Sequence, residues 1–289
     1  FLASCRGGEV TTYEAPAKLN LSLLVSPPRS DGFHPLESLV QTIAWCDLLT
    51  IEEGEGEDTL EIVGAEIDVG ENLVLKALET ARTRGSVPPL SMSLEKRLPI
   101  ATGLGGGSSD AAAALKAAVD LGGLSESLAI EVAPAVGADV ALFLTGGSLL
   151  MAGVGETITA VEPLSGFSVA IAVPDFALAT AEVYKRWDKM EGPRGEAVAN
   201  PSLPPQLRNG MPIRNDLLPA ALDLEPRLGD FMADLREMWG TPVSMTGSGS
   251  ACFGYFESTA EAEDAAASVT DFCDTVMGVE LRSLGVAPI

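Results

Sequence analysis

This sequence predicts a two-domain α+β protein. Strand-like and helix-like segments alternate over 289 residues without the regular spacing of a doubly wound βαβ sheet. Two glycine clusters, ATGLGGGSSD at 101–110 and TGSGSACFGYF at 246–256, lie in different halves of the chain. The length suits one large domain or two modest ones, and a boundary near residue 155 divides it into 1–155 and 156–289.

Thr11 to Tyr13 and Lys18 to Val25 read as strands, the second almost continuously apolar and therefore buried. Pro27, Pro28, Ser30, Asp31 and Gly32 then supply the chemistry of a loop. Leu36 to Ile43 and Asp47 to Glu53 read as two further strands. Glu52 to Glu71 holds nine acidic residues and no basic one. It reads as a solvated edge hairpin whose charge resists edge-to-edge pairing. Asn72 to Arg84 has helical spacing, with Leu73, Ala77, Leu78 and Ala81 on one stripe. Leu90 to Leu94 is a strand leading into the first glycine cluster. The alanine-rich run that follows has the highest helix propensity in the chain, and Gly122-Gly123 ends it. Its start is expected near Asp110.

Ser125 to Ala135 is a second helix, Val140 to Leu144 a short strand or helix start, and Ser148 to Met151 a strand. Glu156 to Pro163 and Ser168 to Val173 read as strands, and Ala181 to Met190 as a helix. Residues 191–212, rich in Pro, Gly and Asn, read as a mobile surface loop. Asn215 to Leu222, Arg227 to Trp239 and Ser258 to Val269 read as helices, and Val243 to Thr246 and Val276 to Leu281 as strands.

Composition removes several functions. Lys+Arg is 18 against 41 Asp+Glu, a net charge of −23, and the basic residues do not cluster. Nucleic acid and anionic membrane surfaces are therefore not expected partners, and no apolar run is long enough to span a bilayer. The four cysteines, Cys5, Cys46, Cys252 and Cys273, are widely spaced and read as reduced cytoplasmic thiols. With His34 as the single histidine, a structural zinc site and a Ser-His-Asp hydrolase both lack their residues. LASC before Arg6 superficially matches a lipoprotein cleavage box, but no charged or apolar region precedes it, so a clipped or frayed start is expected.

The first glycine cluster carries the chemistry. Gly103, Leu104, Gly105, Gly106, Gly107, Ser108 and Ser109 stand between a strand and a strong helix. Glycines there let backbone N–H groups approach an anion, and the helix N-terminus adds its partial positive charge. Mid-loop Gly106 is expected to need positive φ. The donors are backbone groups, so a protein this acidic can still bind phosphate. A Walker A loop needs a Lys before Ser/Thr, and none is present; GxGxxG spacing also fails. The plain alternative is a glycine-rich turn before a Ser-capped helix. By position alone, Lys18 reads as a surface lysine. Asp139 reads equally as a helix N-cap or a functional carboxylate.

PIATGLGGGSSDAAAAL at 99–115 resembles the phosphate-binding motif of the GHMP small-molecule kinases. APAKLNLSLLV at 15–25 and TGSGSACFGYF at 246–256 resemble the same family's N-terminal and C-terminal motifs, in the same order. RSDGFHPLESL and GADVALFL further resemble the branch that phosphorylates the 2-hydroxyl of a methylerythritol carrying a cytidine diphosphate group. The usual DGYH reads Asp31-Gly32-Phe33-His34 here, so the aromatic ring is kept without its hydroxyl.

The resemblance implies an S5-like N-terminal domain, a ferredoxin-like C-terminal domain and a cleft between them. It implies ATP as donor and Mg²⁺ held chiefly by the phosphates and water, Ser108 being the one protein position the family suggests for the metal. It makes Lys18 and Asp139 the catalytic pair, the carboxylate taking the hydroxyl proton and the ammonium neutralising developing charge. The glycine loop with Lys96 would hold ATP, and Asn72 would stand on the adenosine side. Phe33 and Tyr184 would flank cytosine, His34 would contact its edge, Asn20 and Thr180 would stand near the substrate, and Gly247 to Gly249 would line the cleft. Two alternatives remain: another GHMP kinase, of homoserine or mevalonate type, and a nucleotide-binding homologue without catalysis. Oligomeric state is not legible.

Overall fold

The structure is a computed structural model that describes residues 10–66, 68–69 and 72–289. Cys5, the LASC stretch and the last residue of the acidic run lie outside the described residues.

Two long strands build the first sheet. β1 (Thr11–Val25) and β2 (Leu36–Glu53) pair antiparallel along almost their whole lengths. Each replaces two shorter strands expected from the sequence. The ladder runs on through Pro16 because a register shift at Pro16/Ala17 absorbs the missing donor, and a second shift lies at Asn20/Ser22. β3 (Thr59–Val63) does not form a hairpin with β2. It pairs parallel with β4 (Leu90–Glu95), which inserts between them, so the acidic segment is an edge as expected but reached by a crossover. That crossover is α1 (Leu73–Arg82), capped by the Asn72 side chain, which accepts from Val74 N–H.

α2 (Gly106–Asp120) lies at the centre of the first lobe. Ala111 to Ala114, Ala117 and Ala118 are fully buried, and these small side chains let the helix lie close on β1, β2 and α1. α3 (Glu126–Val136) and α4 (Val140–Thr145) follow, then β5 (Ser148–Gly153) on β2 and β6 (Thr157–Ala160) on β5.

The second sheet is antiparallel throughout. β7 (Ser168–Val173) is central, flanked by β10 (Thr275–Glu280) and β9 (Cys252–Phe256), with β8 (Val243–Met245) outside β9. Every β7 residue is buried because the strand serves two cores. Ala170 and Ala172 pack under α5 (Thr180–Lys189), α6 (Leu218–Leu224), α7 (Arg227–Trp239) and α8 (Thr259–Ala267). Val169, Ile171 and Val173 instead join Leu19, Leu21, Ile43 and Trp45 of the first sheet. The lobes thus share a core, and a short unforeseen strand, β11 (Ala287–Pro288), returns the chain end to β1.

Residues 191–212 are packed, not a free surface loop. They hold two 3-10 turns, bury Leu203 and Leu207 in the shared core, and bond Gly195 N–H to the Asp216 carboxylate. None of the described helices is long and apolar enough to cross a membrane.

Candidate active site

A cleft of about 1170 Å³ runs between the lobes. The chain enters it from β4 through Lys96 to Gly105, and α2 begins at Gly106, four residues before the start expected from the sequence. Half of the glycine loop is therefore the first helical turn. The N–H groups of Gly106, Gly107 and Ser108 have no preceding turn to bond and face this end of the cleft. Positive φ falls at Gly103 and Gly105, not Gly106. A Cβ at Gly103 would stand 2.4 Å from the Thr246 carbonyl oxygen, and one at Gly105 2.8 Å from the Phe143 ring. The first glycine cluster is thereby seated on the second. Ala251 N–H donates to the Thr102 carbonyl at 3.1 Å, and Lys18 N–H donates to Leu104 at 2.9 Å. Asn215, which the sequence reading passed over, clamps the second cluster by donating to the Met245 and Gly247 carbonyls at 2.9 and 2.8 Å.

Lys18 is 4 % exposed. Its ammonium donates to Asn20 Oδ1 at 2.5 Å and stands 3.9 Å from Asp139 Oδ2. Burial lowers the Lys18 pKa, and the Asp139 charge opposes that shift. Asn20 is oriented by donating to Ser38 Oγ at 2.7 Å, and Ser38 donates in turn to the Ser22 carbonyl. Asp139 sits at the N-cap position of α4, yet its side chain makes no capping bond. The carboxylate is partly exposed and lines the cleft.

Lys96 is not a free cation awaiting nucleotide. Its ammonium donates to Asp47, and to Asp110 at 2.7 Å. Asp47, fully buried on β2, also accepts from Arg97 and Leu98 N–H at 2.6 and 2.8 Å. Asp110 is less well served, because its Oδ1 has no partner. Burial therefore pushes Asp110 up to about 7, against the pull of Lys96. Lys96 itself is held charged by the two carboxylates, which outweigh its burial. Neither Asp47 nor Asp110 was singled out in sequence. The available signal was one carboxylate in the apolar run AWCDLLTI and another inside an alanine-rich helix.

A raised Asp110 pKa means the fold holds that proton more tightly than the unfolded chain does. Its stabilising contribution is complete below an ordinary aspartate value near 4 and is lost as pH rises through about 7. Asp110→Asn keeps the shape without the titration. The melting-temperature difference, wild type minus variant, should fall between pH 4 and pH 7. A pH-independent difference would show that Asp110 does not titrate there.

The far end of the cleft carries the aromatic and imidazole groups. His34 Nε2 lies 2.8 Å from Asp188 Oδ1, and the ring centroids of Tyr184 and Trp187 lie 5.0 and 5.5 Å from that of His34. Burial pushes the Tyr184 phenol up to about 12. Phe33 is 64 % exposed and stands at the rim. Thr180 Oγ1 is 2.8 Å from Ser248 Oγ, joining α5 to the second glycine cluster. Asn72 lines the cleft while its Oδ1 caps α1. The residues singled out from the sequence, Ser109 and Gly249 apart, thus line one cleft; Gly249 lies behind Gly247 and Ser248 in the second glycine cluster, and Ser109 is fully buried in α2 with its hydroxyl unpartnered.

Comparisons with known proteins agree with this geometry. The profile of the GHMP kinases N terminal domain matches residues 72–147. The 4-diphosphocytidyl-2-C-methyl-D-erythritol kinase of Mesorhizobium japonicum is 35 % identical over 283 residues, covering 89 % of this chain and 90 % of the relative. That of Rhizobium leguminosarum bv. trifolii is 38 % identical over 281 residues, covering 89 % and 90 %. This chain belongs to the 4-diphosphocytidyl-2-C-methyl-D-erythritol kinase family. A crystal structure of a 4-(cytidine 5'-diphospho)-2C-methyl-D-erythritol kinase superposes with a TM-score of 0.75 at 32 % identity, covering 93 % of this chain and 98 % of that one. The homoserine kinase of Cytophaga hutchinsonii shares the fold alone, with a TM-score of 0.67 at 17 % identity over 100 % of this chain and 99 % of that one. The GHMP kinase α+β fold expected from the three motifs is the fold present, and membership in a kinase family implies ATP as phosphoryl donor.

Proposed function

We propose that this chain transfers the γ-phosphoryl group of ATP to the 2-hydroxyl of 4-diphosphocytidyl-2-C-methyl-D-erythritol, a step of non-mevalonate isoprenoid precursor synthesis in the cytoplasm. The carrying observation is the convergence of Lys18, Asn20 and Asp139 beside the glycine loop, in a cleft whose other end holds His34 and Tyr184. We assign the lobes to residues 1–155 and 156–289, with β6 and the chain end added to the first sheet.

Asp139 aligns the acceptor hydroxyl and takes its proton as the oxygen bonds to the γ-phosphorus. The bond from that phosphorus to the bridging oxygen breaks, and ADP leaves with its electron pair. Lys18, drawn toward the cleft by Asn20, neutralises charge on the reacting oxygens. The N–H groups opening α2 hold the phosphates. Lys96, bound to Asp47 and Asp110, braces that loop from below rather than contacting ATP through a free charge. No group of three or more His, Cys, Asp or Glu suited to a metal exists among the described residues. A Mg²⁺ there would be carried chiefly on phosphate oxygens and water and would supply further charge neutralisation. The Ser108 hydroxyl and the partly exposed Asp139 carboxylate both line the cleft and are the protein oxygens that would hold it.

Phe33 and Tyr184 hold the cytosine by stacking, and Thr180 and Asn20 face the polyol. The decisive assay is label transfer from γ-labelled ATP to the cytidylylated methylerythritol, with homoserine and mevalonate as competitors. Transfer to either of those, and none to the cytidine compound, overturns the proposal. Phe33→Ala should lower kcat/KM for the cytidine substrate and its uridine analogue alike, since stacking tolerates any base and contributes roughly 1–3 kcal/mol. Unchanged values would remove Phe33 from the pocket.

A further inference from the structure

We infer that Asn215 is a positioning residue for phosphoryl transfer: its amide clamps the second glycine cluster so that the Thr246 hydroxyl holds Asn20, and Asn20 aims the Lys18 ammonium. The inference rests on the role proposed above for Lys18 and deepens it.

Asn215 is buried and does not itself line the cleft. Both hydrogens of its amide are used, on the Met245 and Gly247 carbonyls, and its Oδ1 accepts from Leu217 N–H at 2.9 Å. Carbonyls only accept and a backbone N–H only donates, so these partners admit one orientation of the amide. The backbone of this segment is held by the next residue instead. Asp216 accepts from Val25 N–H at 3.1 Å, from Gly195 N–H at 2.9 Å and from the Arg214 guanidinium at 2.8 Å, which anchors 214–216 against the end of β1. The Asn215 side chain is thus left to the glycine cluster and to the start of α6.

Thr246 stands between the two clamped carbonyls and is fully buried. β1 shifts register at Asn20/Ser22, which interrupts its regular ladder with β2. At this break Asn20 N–H donates to Thr246 Oγ1 at 3.0 Å, while Asn20 Oδ1 accepts from the Lys18 ammonium. The cluster sits close on both neighbours: a Cβ at Gly247 would stand 3.3 Å from the Gly103 carbonyl oxygen and 3.5 Å from Asn20 Oδ1. Without the amide, the Met245 and Gly247 carbonyls lose the donors that Asn215 supplies, and the segment carrying the Thr246 hydroxyl loses its anchor. An ammonium that must meet charge developing on the reacting oxygens is sensitive to such a shift, since about 1 Å of misplacement can cost a hundredfold in rate.

Asn215→Asp keeps the acceptor for Leu217 N–H and withdraws both donors. Label transfer from γ-labelled ATP is followed in single turnover at saturating enzyme, where the rate constant does not depend on the fraction of protein folded. Asn215→Asp should lower that rate constant on the order of tenfold to a hundredfold. Thr246→Val, which leaves Asn215 in place, should lower it similarly, and Thr246→Ser, which keeps the hydroxyl, should recover most of it. Adding Asn215→Asp to Asn20→Ala should cost little beyond Asn20→Ala alone, because residues acting through one contact are not additive. A lower melting temperature with an unchanged rate constant would show a merely structural clamp and overturns the inference. Effects of Asn215→Asp and Asn20→Ala that multiply also overturn it. Should Asn215→Asp fail to fold, the Thr246 pair decides, and equal rate constants for Thr246→Val and Thr246→Ser overturn it. Label transfer by wild type to homoserine or mevalonate in place of the cytidine compound would instead bring down the proposed function, and the same variants are then read on that acceptor. Wild type that transfers label to none of these alcohols brings down both.

Discussion

Asp139→Asn lowers turnover by roughly 10²–10⁴ while ATP affinity stays close to wild type, as expected for loss of a positioned base. The substitution is isosteric and removes only the ability to take the proton. Asp139 makes no capping bond to α4, so the helix loses no side-chain cap with it. Its nearest charged neighbour is the Lys18 ammonium at 3.9 Å, and that ammonium keeps Asn20 as a hydrogen-bond partner in the variant. Single-turnover label transfer combined with an equilibrium ATP titration separates chemistry from binding. Turnover near the wild-type rate would remove Asp139 from the mechanism.

Gly105→Val costs on the order of a hundredfold in ATP affinity or in kcat/KM for ATP, the scale expected when a catalytic loop is displaced by about 1 Å. Gly105 is the N-cap of α2, with φ of +80°, where a β-branched residue is strongly disfavoured. Its Cβ would stand 2.8 Å from the buried Phe143 ring and 3.2 Å from Lys18 Cγ. Relief of those contacts moves the loop carrying the N–H groups proposed to hold phosphate and pushes against Lys18. The neighbouring Gly106 offers a control. Its φ is not positive, and its Cβ would meet the Lys96 ammonium and Asp47 Oδ2 at 3.3 and 3.4 Å, so Gly106→Ala should be the milder change. Circular dichroism confirms folding, and ATP titration reads the effect. A folded Gly105→Val with wild-type ATP affinity would contradict this account.

Elements with an unbroken pattern were legible. β7 and α7 occupy the residues that apolar continuity and helical spacing assign to them, Ser168–Val173 and Arg227–Trp239. Elements joined across a break were not. Pro16 reads as a strand breaker, yet a register shift carries β1 through it. Ala44 to Cys46 separates two apolar runs, yet the β1 ladder continues past it. Both interruptions are repaired by a partner strand that local sequence does not contain. The same holds for residues 191–212, whose composition says loop while Leu203 and Leu207 find apolar neighbours on β1, β7 and β9.

The sequence by itself pointed to a phosphate cradle of backbone groups before an alanine-rich helix, whereas Lys18, Asp139 and His34 were singled out by the resemblance to a family. The cradle is a local feature: a glycine run permits close approach, and a helix N-terminus leaves N–H groups free wherever it lies. Only the tertiary structure decided what each charge faces. Lys96 could have stood unpaired, but Asp47 from β2 and Asp110 from α2 both accept from its ammonium. Asp139 could have capped α4, but it looks toward Lys18. His34 could have been an idle loop residue, but Asp188, 154 positions later, accepts it across the cleft. Coulombic and hydrogen-bond energies depend on separations of a few ångströms and on burial, and between residues so distant in sequence these are set only when the two sheets pack.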